Sequence, residues 1–106
     1  MAGMGNLSGL MQQAQRMQRD LAKLQEDLKE RMVEGSSGDG AVTVIASGAQ
    51  EIMSIKVSPE AVDPDDVETL EDLLIVAFNN ALEKSRDMQR AETEKITGGM
   101  NFPGMM

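Results

Sequence analysis

AVTVIASGAQEIMSIKV, residues 41–57, decides the fold. In its first half Val42 and Val44 share one face and Thr43 and Ile45 the other, the period of two that marks a strand. In its second half Met53, Ile55 and Val57 alternate with Ile52, Ser54 and Lys56. Ser47 to Gln50 forms the turn between them, so the stretch reads as an antiparallel hairpin. A lone hairpin is marginal in water, and residues 32–37 supply a third strand, giving a short meander. GSSGDG (35–40) is rich in turn formers, and Ser58-Pro59 ends the sheet because proline cannot continue the hydrogen-bond ladder.

Upstream lies LMQQAQRMQRDLAKLQEDL (10–28), with apolar residues at Leu10, Ala14, Met17, Leu21, Leu24 and Leu28, alternating steps of four and three. That is a heptad seam on one helix, and its narrow stripe suits a slender partner helix. Asn6 or Ser8 can cap its start, and it runs to about Met32. Arg16 and Asp20, and Lys29 between Glu26 and Glu30, place opposite charges at helical spacing.

Downstream, Asp63-Pro64-Asp65-Asp66 offers an N-cap acid, proline at the first helical position and carboxylates over the positive end of the helix dipole. Apolar positions continue through Val67, Leu70, Leu74, Ala77, Phe78, Ala81, Leu82 and Met88 toward Ile96, and Gly98-Gly99 stops them. An unbroken helix from Pro64 to Thr97 would be roughly 50 Å long. A six-residue strand covers only about 20 Å. Such a helix must project or pack on a second copy. Its segment LEDLLIVAFNNAL (70–82) is apolar nearly all round and needs cover on more than one side. The expectation is one α+β domain over residues 1–106, with flexible ends at 1–6 and 98–106, assembled as a homodimer whose helices extend beyond its body.

Composition narrows the chemistry. The 106 residues include no cysteine and no histidine, which removes disulfides, thiolate or imidazole metal sites and the usual nucleophile pairs. No catalytic residue, cofactor, metal or small-molecule substrate is expected. Ten methionines and two phenylalanines leave the core to adaptable aliphatic packing. The carboxylates from Asp63 to Asp72 lack the glycine and terminal glutamate of a calcium loop and read as helix capping. GSSGDG lacks the helix that follows a phosphate cradle. MAGMGNLSGLMQQ has neither a basic region nor an apolar run, and no later stretch could span a bilayer, so a cytoplasmic location without a membrane partner is expected.

Net charge is −8, a poor match for a phosphate backbone taken as a sum. Its distribution says more. Residues 1–35 carry five bases and five acids, whereas residues 63–106 carry four bases and ten acids. Arg16, Arg19 and Lys23 share one helical face, and Arg86 and Arg90 share another. No aromatic residues interleave with them, which disfavours base stacking.

These residues resemble a known family. A Gly/Met-rich start, the Gln- and Met-rich helix, GSSGDGAVTV, IKVSPEAVDP, LEDLLIVAFNNAL and Lys95-Ile96-Thr97-Gly98-Gly99-Met100 are together similar to the YbaB/EbfC family of bacterial nucleoid-associated proteins, over essentially the whole chain. The resemblance implies an α-β-β-β-α subunit in a tweezers-like homodimer, without enzymatic activity, that binds double-stranded DNA in chromosome organisation or gene regulation in the nucleoid. It also implies contact through the projecting helices, here the segments with Arg16, Arg19, Lys23, Arg86 and Arg90. Asp20, Asp87, Glu92 and Glu94 dilute those faces, so binding should be salt-sensitive. The alternative is a dimeric adaptor for a recombination or replication protein, with little DNA affinity of its own.

Overall fold

The computed structural model describes residues 2–98, with side chains from residue 7 onward. Helix α1 (Ala2–Glu30) leads into strands β1 (Met32–Ser37), β2 (Val42–Ser47) and β3 (Ile52–Val57). A single 3₁₀ turn (Pro59–Ala61) then precedes helix α2 (Val67–Thr97). The three strands form one antiparallel sheet in the order β1-β2-β3. Val44 sits between Gly35 and Ile55, and the β2/β3 register shifts between Ile45 and Ala46. The meander and its hairpin turns therefore follow the alternation read from the sequence. Gly38 and Asp39 both take positive φ, 58° and 54°, as a tight hairpin turn requires.

Two helix starts differ from expectation. Helix α1 begins at Ala2, ahead of Asn6 and Ser8, because extending an existing helix adds a backbone bond per residue fixed and needs no capping side chain. Residues 2–6 are thus helical, while residues 1 and 99–106, the remainder of the expected flexible ends apart from Gly98, lie outside the described residues. Helix α2 is capped by Asp66 instead of Asp63: its side chain accepts from Thr69 N at 3.3 Å and from Thr69 Oγ1 at 2.6 Å. Asp63 makes a separate turn by accepting from Asp65 N at 2.9 Å. Two acids three residues apart both suit a cap, and Asp63 is taken up by its own turn. From Asp66 the helix runs unbroken to Gly98, whose φ of 68° closes it.

The core lies between sheet and α2. Val42, Val44 and Ala46 project from β2 and are buried with Ala77 and Ala81 of α2. Val33, Val57, Leu70, Leu73, Leu74 and Phe78 ring them. Helix and strand approach so closely that a Cβ on Gly35 would stand 2.3 Å from Ala81 N and 2.6 Å from Ala77 O. Side chains of α2 also serve the outer edge of β1. Asn80 Nδ2 donates to Ser36 O at 2.9 Å and Lys84 Nζ donates to Glu34 O at 2.8 Å. At the next turn buried Ser85 donates to Ser47 O at 2.8 Å and accepts from Gln50 N at 3.1 Å.

Gly35→Ala should push α2 off the sheet and cost about 3 kcal/mol, at the upper end for overpacking, because the clash is with backbone. Urea unfolding should register it as a lowered midpoint with helix content retained.

Candidate nucleic-acid interface

The geometry of the basic residues follows from how the two helices meet. Leu28 of α1 and Met88 of α2 both close on Gly48, and Arg31 pairs with Glu92 at 3.4 Å. The long axis of the molecule is 77 Å. Each helix alone is roughly 45 Å long. They therefore overlap only where the last turns of α1 meet the second half of α2, and the first half of α1 projects as an arm. Burial along the seam records this: Leu24 and Leu28 are buried, Met17 and Leu21 partly covered, and Leu10 is 62% exposed.

Arg16, Arg19 and Lys23 are exposed on the arm side of this overlap, within roughly 10 Å of helix axis. With the seam at heptad positions a and d, Arg16 and Lys23 occupy c and Arg19 occupies f, the side turned away from the seam. None of the three is in an ion pair among the described residues, and the expected Arg16–Asp20 pair does not form. Gln15, Gln18, Arg19 and Ala22 line a shallow open depression, so amide donors flank the guanidinium. These glutamines were not picked out from the sequence, where only charge marked the face.

The second predicted pair is less free. Arg86 is exposed and unpaired among the described residues, but Arg90 bonds Asp87 at 3.3 Å one turn back. No hydrogen bond or ion pair joins Arg86 or Arg90 to the α1 set among the described residues. Lys95 and Arg31 converge on Glu92, and their cationic groups hold its carboxyl below the ordinary 4.5, the Lys95 hydrogen bond at 2.9 Å contributing most. Glu92 thereby ties the C-terminal part of α2 to the connection between α1 and β1.

The longest run of acids sits elsewhere. Asp63, Asp65, Asp66, Glu68, Glu71 and Asp72 surround the start of α2, at the opposite end of the long axis. Counting along the helices, Asp72 lies on the order of 40 Å from Arg16. The screening length at physiological salt is about 8 Å, so the acidic end scarcely opposes an anion held at the arm. Asp63 and Asp66 are occupied in bonds to backbone amides, as their capping role requires.

An antiparallel meander under one long helix, with a second helix carrying exposed cations toward its projecting half, defines a small scaffold with a basic arm. The chain belongs to the YbaB/EbfC DNA-binding family, whose profile it matches over residues 4–100. It is 56% identical over 101 residues to a nucleoid-associated protein of Desulforamulus reducens, covering 95% of this chain and 96% of that one. It is 54% identical over 102 residues to a nucleoid-associated protein of Acetivibrio thermocellus, covering 95% and 90%. The fold matches the crystal structure of an uncharacterized Helicobacter pylori protein, HP0035, with a TM-score of 0.72 at 22% identity, over 87% of this chain and 94% of that one.

Because its folded carboxyl is the more acidic, Glu92 stabilises the fold above the ordinary carboxylate range and loses that contribution as pH falls through its lowered value. Glu92→Gln should therefore lower the unfolding midpoint at pH 7. The difference from the parent should shrink toward zero well below pH 4.

Proposed function

We propose that this protein binds double-stranded DNA as a homodimer of single-domain subunits, through the outward faces of its α1 arms, in the organisation of bacterial nucleoid DNA. The observation that carries the reading is the set Arg16, Arg19 and Lys23, exposed and without ion-pair partners among the described residues, on the stretch of α1 that leads into the arm and remote from the six carboxylates around the start of α2. Such a surface neutralises phosphates without reading base edges, which gives backbone binding of low sequence selectivity. Arg86 adds to it, and Arg90, shared with Asp87, contributes less. The names of the relatives support the nucleoid setting. No helix among the described residues is long and apolar enough to cross a membrane.

Dimerisation is supported by apolar surface that one chain leaves bare. Helix α2 packs on β1 and β2, while Ile52, Met53 and Ile55 of β3 stay exposed and the outer edge of that strand pairs with nothing among the described residues. Ile75 and Val76, in the segment that is apolar nearly all round, are 58% and 50% exposed. An uncovered apolar edge strand beside an uncovered helix face is unstable as free surface and fits a second copy.

Three phosphate contacts per arm give a dimer about six. The log-log slope of affinity against salt should then be roughly −5, and Arg16→Ala should reduce it by about two. Charge reversal of Arg16, Arg19 and Lys23 together should abolish a low-salt mobility shift, whereas Arg90→Ala should weaken it only slightly. An unchanged shift in the triple variant would exclude the arm as the binding surface.

Sedimentation at micromolar concentration should give twice the 11.5 kDa chain mass. Ile75→Glu with Ile55→Glu should return it to the single-chain value with the helical signal preserved.

A further inference from the structure

The arm has a second face with no use in DNA contact. Leu7, Leu10 and Met11 are 59%, 62% and 57% exposed, and Ala14 is exposed beside them. Leu7 extends the heptad seam by one further step of three, so Leu7, Leu10, Ala14 and Met17 continue in register the same stripe that is buried at Leu24 and Leu28. An apolar seam of period 3.5 is shaped for another helix and not for a flat or irregular surface.

We infer that the arm seam is occupied by the same seam of a second copy of this chain, in an antiparallel α1–α1 pair spanning Leu7 to Met17. Three features select that occupant. The flanking heptad positions, Met11, Gln13 and Gln18, carry no charge, so two identical helices meet without like-charge repulsion. The seam is self-complementary when reversed: Leu10 of one chain faces Ala14 of the other, and Leu7 faces Met17, so large residues oppose small or adaptable ones. The orientation is dictated by the body. Leu24 and Leu28 show that the body covers the seam side of α1, and the whole molecule is 24 Å by 16 Å in cross-section. Packed helices lie only 8–10 Å apart, so a parallel partner would run into the body, whereas an antiparallel one carries its own body to the opposite end.

The overlap is about 16 Å long, which makes the contact weak in dilute solution and effective where many copies lie on one DNA. Arg16, Arg19 and Lys23 stay outside the pair, on the opposite side of the helix. Arm pairing thus leaves the phosphate-binding face open and joins neighbouring molecules, or separate duplexes, through protein contacts.

The test compares the parent with Leu7→Glu/Leu10→Glu by sedimentation equilibrium up to high micromolar concentration, with circular dichroism to confirm that α1 stays helical. The parent should reach at least twice the mass of the variant. A one-chain body carries one arm and stops at doubling, whereas a two-chain body carries two and can grow further, and the mass of the variant itself shows which body is present, so the arm contact and the body dimer are judged separately. Because the chain has no cysteine, Leu10→Cys and Ala14→Cys report register directly. Mixed and mildly oxidised, the two variants should form a disulfide-linked pair at least fivefold more readily than either alone. Equal masses for parent and variant would overturn the inference, whether residues 99–106 of the same chain fill the seam or it stays bare. Equal cross-linking by Leu10→Cys alone would overturn the antiparallel register.

Discussion

The close approach of α2 to β1 governs the rest of the molecule. Gly35 has no side chain at the crossing, and α2 presents Ala77, Ala81 and Ser85, a small residue every fourth position, so the helix lies with its backbone against the strand. At that distance Asn80 and Lys84 reach over the strand and satisfy its outward carbonyls. A bulkier side chain at any of these positions would lift the helix, uncover Val42 and Val44, and release the Ser85 bonds that hold the β2–β3 turn. Flat seating also sets the direction of α2, and with it the point where α1 leaves the body.

The two edges of the sheet are consequently unlike. The β1 edge is closed from within the chain by α2, which removes it as a template for further strands. The β3 edge has no such cover among the described residues, and its apolar side chains lie on the part of the sheet that α2 does not reach. One surface is sealed and the other left open by the same helix. Strand pairing with a second copy, the association proposed above, would then be confined to one side of the sheet, an arrangement that suits a closed pair better than an open-ended stack.

Much of this was legible because the signals are local. Alternation at Val42 to Val57 marked two strands and their faces, the marginal stability of a lone hairpin pointed to a third at residues 32–37, and the glycine-rich turn agreed with both. The helix ends were harder, since Asp63 and Asp66 are equally good caps as residue types and the choice depends on the turn around Pro64. The exposure of Arg16, Arg19 and Lys23 followed from heptad position. What the sequence did not carry were contacts made across long separations: Lys84 counted as one more cation, yet its ammonium group belongs to a carbonyl 50 residues earlier. The Arg90–Asp87 pair is i, i+3 and was visible as spacing, but so was Arg16–Asp20, which does not form; spacing permits such pairs and solvent competition decides them.

Charge is laid out along a rod 77 Å long, with six carboxylates around one end and three cations past its middle, where α1 leads into the arm. Such a body has a permanent electric dipole along its length. In the field of a polyanion at low ionic strength it experiences a torque before it experiences contact, turning the arm inward and the carboxylates away. The rotational search that limits most docking is shortened in advance, and a body whose total charge is repelled by a polyanion is still turned arm first toward it.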